Sequence, residues 1–356
     1  MQEIRTLTAM RGLAALWVVL FHYQHHISGR VPGMALISQG ALAVDLFFTL
    51  SGFILVYVYR DREDIRRFFL KRFARLYPVH LVTLCAVVLL AVCARSFGLA
   101  VDESLEPRQI LAHVFLLHAA GVVDRLALNY PSWSISAEAF AYLAYPVLAV
   151  LVLRQRLWIA VAGALALFWT SAALSELAGT PLTSRSCDLA IVRILPEFVM
   201  GMVAARIGLE ASPRRILVAL AALGLALTGL ILQDPLIFAQ AAPVVILALF
   251  LYDGPVPRPL RYLGLISYSL YMTHALTEKV GFTLLELLCG AETLPLWALA
   301  LMTALAVAVA ALTYHLVEEP GRKLVMRLGS AWMPDKRPQR QGRARTDAPG
   351  PPASGS

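Results

Sequence analysis

A run of about 20 apolar residues is long enough to cross the hydrocarbon core of a bilayer, and this chain contains ten. They fall at residues 7–27, 40–59, 76–96, 134–153, 157–175, 189–208, 216–232, 236–252, 262–283 and 295–316 of 356. Inside lipid the backbone must satisfy its own hydrogen bonds, which leaves helices or closed barrels as the spanning structures. Runs of this length predict an all-α, polytopic membrane bundle of about ten helices. Composition agrees, with 59% hydrophobic and 15% charged residues against about 45–50% and about 25% in soluble domains. Cytoplasmic enzymes, nucleic-acid binders and disulfide scaffolds are thereby excluded. The net charge of +8 carries no hint of a nucleic-acid partner, because residues 322–356 set eight Lys and Arg against Asp335 and Asp347 and so hold +6 of it.

An eleventh run, Ile110 to Val123, has only 14 residues and contains His113 and His118. Basic residues concentrate in cytoplasmic loops, and this bias decides the case. Without that run as a span, 23 Lys and Arg fall inside, five fall outside and three lie within spans. With it, every later loop inverts. The reading is therefore ten spans, both termini in the cytoplasm, and an outer loop of about 37 residues carrying a short re-entrant or surface helix. Arg11 and His22 interrupt the first run, and no small-residue cleavage site follows, so it stays as a helix and is not a signal peptide. Residues 1–330 form the membrane domain, and 331–356, rich in Pro, Gly, Ser and Arg, read as a disordered basic cytoplasmic tail. The four cysteines show no metal spacing; a Cys187–Cys289 disulfide and a homo-oligomer stay open.

Ionisable groups within spans cost roughly 2.5–3.5 kcal/mol or more, so they are functional candidates by default. Arg11 and His22 are 11 residues apart, about three turns and about 16 Å along one helix face. Asp45 opens the second span at the outer level of His22, with Ser51 and Gly52 deeper; a Ser-Gly pair alone reads as helix packing. Arg72 and Arg75 enter the third span one turn apart and can face the same polar cavity as Arg11. Ser132, Trp133 and Ser134 lead into the fourth span, where a serine N-cap would suit the helix start and Glu138 lies one turn inside. Arg193 and Glu197, spaced i,i+4, read first as a structural ion pair. His274 stands midway along the ninth span, either a second active-site group or a core histidine with its partners satisfied.

Arginines bind phosphates, and histidine is the usual general base near neutrality. A basic cytoplasmic mouth (Arg11, Arg72, Arg75) and an outer imidazole with carboxylates (His22, Asp45, Glu138) fit a phosphorylated donor with a long arm, the shape of coenzyme A. No metal is expected.

Six segments in order, TAMRGLAALWVVLFH, AVDLFFTLSGFIL, KRFARLYP, PSWSISAEAFAYLAYP, ISYSLYMTH and VEEPGR, resemble the integral-membrane acyltransferase family 3 over about residues 4 to 326. The resemblance implies transfer of acyl groups, most often acetyl, from cytoplasmic acyl-CoA to hydroxyls of extracytoplasmic glycans or glycolipids such as O-antigen or exopolysaccharide. Some relatives act on peptidoglycan, lipooligosaccharides or macrolides. It implies His22 as base, Arg11 as its signature partner toward the donor, Arg72 and Arg75 on CoA phosphates, and Glu138 and Glu318 as motif carboxylates. Ile135 replaces the usual Leu, and the hydrolase-like domain fused to some relatives is absent. The expected setting is the bacterial inner membrane. The competing class is a transporter or flippase of a lipid-linked sugar, which would predict broken-helix pairs in corresponding positions of two halves, and none is visible.

Overall fold

The computed structural model describes residues 3–29, 33–60, 64–98, 104–210 and 214–331. The expectations for Arg30, for Arg62 and for a tail beyond Ala331 lie outside the described residues. Each of the ten apolar runs is helical, the ninth, 262–283, being divided at Ile266 between two helices. In chain order the helices are α1 (Arg5–Tyr23), α2 (Met34–Ile37), α3 (Ala43–Tyr59), α4 (Ile65–Ser96), α5 (Pro107–Val114), α6 (Trp133–Arg154) and α7 (Leu157–Leu177). Then follow α8 (Ile191–Glu210), α9 (Arg215–Leu232), α10 (Pro235–Tyr252), α11 (Arg258–Leu265), α12 (Ser267–Cys289), α13 (Leu296–Thr313) and α14 (Glu319–Ala331). No strand forms among the described residues; one isolated parallel bridge joins Ile27 to Leu294.

Eight helical segments among the described residues are long and apolar enough to cross a membrane. The other two predicted spans, α8 and α12, have the length, 20 and 23 residues. Each carries several charges, Arg193, Glu197, Arg206 and Glu210 on one and Glu278, Lys279 and Glu286 on the other. The protein is an all-α polytopic membrane bundle. Its outward faces present Leu89, Leu143, Trp158 and Leu220, all exposed, as a surface in contact with lipid tails requires. The Ile110–Val123 run does not make a span. Only Pro107–Val114 is helical, eight residues, about 12 Å long.

Two predicted boundaries move. The basic stretch before the third span is not a loop but the first turns of α4, a 32-residue helix about 48 Å long. The Asp64 side chain caps it by accepting from the Arg67 N–H at 3.1 Å. The last run continues beyond 316 through a five-residue π-turn, Tyr314–Glu318, into α14. At the same end of the bundle Glu3 pairs with Arg261, and that hydrogen bond holds the Glu3 carboxyl below the usual carboxylate range. All four cysteines are free, so Cys187 and Cys289 do not pair.

Close helix contact comes from small residues, as in other membrane bundles. A Cβ on Gly52 would land on the Phe198 carbonyl, and one on Gly201 on the Thr49 carbonyl, so α3 and α8 pack backbone to backbone. Gly264 on α11 meets the Thr8 carbonyl of α1 in the same way. Beside the α3–α8 contact, the Arg193 guanidinium donates to Asp45 Oδ1 from Nε at 3.1 Å and from Nη2 at 2.6 Å. Its Nε also lies 3.8 Å from Glu197 Oε1. The expected Arg193–Glu197 pair is thus one side of a three-residue cluster in which Asp45 and Glu197 are completely buried.

The segment after α5 is anchored by imidazoles. His80 Nε2 donates to the His113 carbonyl at 2.8 Å, and the rings of His113 and His118 stack at 3.9 Å. Burial pushes both His113 and His118 below the ordinary histidine value, so these two rings pack as neutral groups. His118 Nε2 meets Ser132 Oγ at 3.1 Å. Asn129 donates to Thr83 Oγ1 and to the Met272 carbonyl, at 3.1 and 3.0 Å. The residues entering α6 are therefore fixed against both α4 and α12.

Gly201→Val should push α8 off α3 and cost about 1–3 kcal/mol or more, read as a lower Tm of the detergent-solubilised protein. Gly224→Ala, where an added Cβ meets nothing within 4 Å, should keep or raise Tm, since alanine is the better helix former. An unchanged Tm for Gly201→Val would contradict the contact. Arg193→Met leaves two buried carboxylates without their cation and should cost about 3–5 kcal/mol, measured by the same thermal scan.

Candidate functional site

Helices α1, α3, α4, α6 and α12 surround a cavity of about 140 Å³. Along α3 its lining runs from Val44 to Ile54, positions ten residues apart, or about 15 Å. Arg11, Arg72 and Arg75 all line it, with Ser51, Glu138 and Tyr142. Arg72 donates to Tyr59 Oη at 3.2 Å, and its guanidinium lies over the rings of Tyr59 and Tyr142, 5.4 and 5.6 Å from their centroids. Its buried Nε has no hydrogen-bond partner among the described residues. Arg75 sits 4.9 Å over the Tyr268 ring and pairs with Glu318 Oε1. Glu318 Oε2 accepts from Ser269 Oγ at 2.7 Å. A π-turn adds a residue to a helical turn and is common at functional sites. Here it carries Glu318 to Arg75, leaving the carboxylate 2% exposed.

Glu138 Oε1 accepts from Ser51 Oγ at 2.6 Å and from Tyr142 Oη at 2.5 Å. Three guanidiniums thus face two carboxylates, Glu138 and Glu318. Among the described residues no side chain hydrogen-bonds or ion-pairs with Arg11, which lines the same cavity. A cavity with surplus cation and an unpaired guanidinium suits an anionic ligand.

His22 lies further along α1. Its ring packs against those of Tyr130 and His274, with centroids 4.9 and 5.2 Å away. His274 Nδ1 lies 2.7 Å from the Tyr271 carbonyl. A carbonyl only accepts, so Nδ1 carries a proton and the neutral ring keeps its lone pair on Nε2. That Nε2 faces Tyr130 Oη at 3.5 Å. The Tyr130 hydroxyl donates to Glu278 Oε2 at 2.7 Å, and Tyr23 Oη donates to the His274 carbonyl at 2.9 Å. The open question about His274 resolves both ways, with one nitrogen satisfied by backbone and the other turned toward the His22 group. Between the two places stands Tyr271. It lines the cavity, its hydroxyl accepts from Ser134 Oγ at 2.9 Å, and its ring lies 5.8 Å from that of His274.

The expected outer cluster of His22, Asp45 and Glu138 is not what assembles. Asp45, in the first turn of α3, faces α8 and is held by Arg193; Glu138 faces Ser51 in the basic cavity; neither hydrogen-bonds His22. Trp133 covers Arg193, whose guanidinium carbon is 5.5 Å from the ring centroid. Ser51 is more than a packing residue, because Gly52 makes the close contact and the Ser51 hydroxyl binds Glu138. Neither Ser132 nor Ser134 caps α6; their hydroxyls serve His118 and Tyr271. Tyr130, Tyr142, Tyr268 and Glu278 were not singled out from the sequence. Glu278 could have been found, four residues after His274 and so on the same helical face.

An acyltransferase-domain family model matches residues 4–315. The chain is 32% identical to the acyltransferase MdmB of Streptomyces mycarofaciens over 366 aligned positions, 91% of this chain and 93% of that protein. It is 28% identical to the putative membrane-bound transacylase BcsY of Komagataeibacter xylinus, over 76% of this chain and 72% of the relative. A putative acetyltransferase, ORF330 of Acidianus two-tailed virus, is 27% identical over 39% of each chain. No solved structure matches. Between the two classes the sequence left standing, these relatives favour transfer over transport. With a family model spanning most of its length and a relative aligned almost end to end, the chain belongs to the integral-membrane acyltransferase family 3 and is an enzyme that transfers acyl groups.

Proposed function

We propose that this protein moves an acyl group, most simply acetyl, from acyl-CoA in the cytoplasm to a hydroxyl of an extracytoplasmic or membrane-associated glycan. The observation that carries this reading is the cavity itself. Arg11, Arg72 and Arg75 converge on it with one more cation than carboxylate, and its lining continues along α3 and α12 as far as Tyr271, against which His274 packs. The basic end is taken as cytoplasmic, with both termini there, in a bacterial inner membrane. The positive-inside bias supports that orientation.

In this reading the three arginines take the phosphates of the donor, and the pantetheine arm lies along the cavity toward His22. His22 removes the proton of the acceptor hydroxyl. The hydroxyl oxygen attacks the thioester carbonyl, so that a C–O bond forms as the C–S bond breaks. The proton then passes from His22 to the leaving thiolate, and nothing is left over. Transfer is direct, without an acyl-enzyme. Glu138 acts within the donor cavity with Ser51 and Tyr142, and Glu318 holds Arg75 in place until a phosphate arrives. Asp45 serves the bundle through Arg193 and takes no part in orienting the base.

His22→Ala should abolish acylation while the protein still inserts and elutes as a single species. Mass spectrometry of surface polysaccharide and secreted metabolites from deletion and complemented strains reads this as loss and return of acetyl or succinyl units. Normal acylation in the mutant would sink the role of His22. Arg72→Ala and Arg75→Ala should raise KM for acetyl-CoA about tenfold or more, one charge-assisted phosphate contact being worth roughly 1.5–3 kcal/mol. An unchanged donor KM in both would move the CoA site elsewhere.

A further inference from the structure

A histidine that accepts a proton inside a membrane bundle becomes a buried cation and needs a nearby negative charge. The two carboxylates that the sequence suggested for this task are engaged elsewhere, Asp45 by Arg193 and Glu138 by Ser51 and Tyr142. The structure offers another. His26 Nε2 lies 3.3 Å from Glu278 Oε1 and His26 Nδ1 lies 2.9 Å from Glu286 Oε1. Both ring nitrogens can donate to carboxylates only in the imidazolium form. One imidazolium between two carboxylates leaves one uncompensated negative charge. Glu278 Oε2 presents it to the Tyr130 hydroxyl at 2.7 Å, and the Tyr130 ring packs on His22. The His26 ring stacks on Phe282 at 4.1 Å and 11°, which fixes the far end of this chain of contacts.

We propose that Glu278, held by Tyr130 and His26, is the positioning residue that supplies the counter-charge for His22 while His22 holds the acceptor's proton. The proposal deepens the reading of His22 as the base and rests on it. Other groups around His22 do not compete for the task. His25 and His26 follow on the same chain segment, and His26 is spoken for by the two carboxylates. From α12 come Tyr271, His274, Glu278 and Lys279, the last donating to the Leu128 carbonyl at 3.3 Å. Tyr23 is committed to the His274 carbonyl, and Tyr130 donates to Glu278. Among these, Glu278 and its neighbour Glu286 are the carboxylates.

The test reads His22 directly. Diethylpyrocarbonate modifies neutral imidazole, so the pH dependence of His22 modification, located by peptide mass spectrometry in the detergent-solubilised full-length protein, reports its proton affinity. Loss of a nearby negative charge disfavours the imidazolium, so Glu278→Gln should move the His22 midpoint to lower pH by about half a unit or more, roughly a threefold loss of proton affinity. A curve superimposable on the wild type, or one moved to higher pH, overturns the proposal. Should Glu278→Gln fail to fold, Glu278→Ala, which removes the same charge without placing an amide beside Tyr130 and His26, is read against the same two outcomes. The titration needs neither donor nor acceptor. An unshifted curve therefore ends the role of Glu278 without touching acyl transfer, which the His22→Ala experiment decides separately.

Discussion

Lipid solvates neither a backbone amide nor a charge, and nearly everything specific about this protein follows from how its bundle meets that constraint. The backbone is satisfied by helices. Most intramembrane charges gather into three groups, each with its own balance. Arg193 stands between Asp45 and Glu197, and these groups lie beside a glycine contact that brings α3 and α8 together. His26 stands between Glu278 and Glu286 at the His22 end. Arg72, Arg75 and Arg11 meet Glu318 and Glu138 around the cavity, where cation is in excess. A cation already held by carboxylates ties helices together; a cation without such a partner invites an anionic ligand. By that distinction Arg193 belongs to the scaffold, and Arg11 is free for the role proposed for it at the donor.

What was legible in the sequence was whatever depends on position along a helix axis. Ten apolar runs gave ten helices, the Ile110–Val123 run fell short, and the 11-residue interval from Arg11 to His22 separated a basic place from an imidazole place. Partnership around the axis was not legible. Asp45 was expected at the outer level of His22, yet it faces α8, because Gly52 and Gly201 let those two backbones meet and turn that face of α3 toward Arg193. Glu138 is placed by the same azimuthal rule, toward Ser51 rather than toward the base. Glu278 escaped notice for a different reason. Beside Lys279 it resembles a residue marking the end of a span, and only the packing of Tyr130 over His22 reveals it facing inward.

The loop that precedes α6 also gains meaning from the structure. The Lys and Arg bias could say only that the run containing His113 and His118 does not cross the membrane. In the fold, their stacked neutral rings, the His118–Ser132 contact and the bonds from Asn129 to Thr83 and Met272 pin both ends of a short segment containing Tyr130. A tyrosine on an unanchored loop would sample many rotamers and hold no fixed distance to His22. Three histidines outside the proposed chemistry therefore bear on it, by fixing the backbone from which Tyr130 reaches α12.

On the proposed reading Tyr271 stands between the donor cavity and the His22 group, and that separation has a chemical use. A thioester donor brings several negative charges at one end and a reactive carbonyl at the other, and the two ends need opposite surroundings. Phosphates are held by exposed or surplus cations, whereas a neutral imidazole acting as base must not sit beside arginines that would suppress its protonation. About 16 Å of α1 between Arg11 and His22 keeps these requirements apart. Tyr271 stands at the boundary, its hydroxyl bound by Ser134 and its ring between Phe47 and His274. Fields that would cancel if mixed thus remain distinct within one bundle, the cationic one around the cavity and the anionic one around His26 and Glu278. On the proposed reading, Tyr271 is where the cavity lining meets the His22 group, through its ring contact with His274.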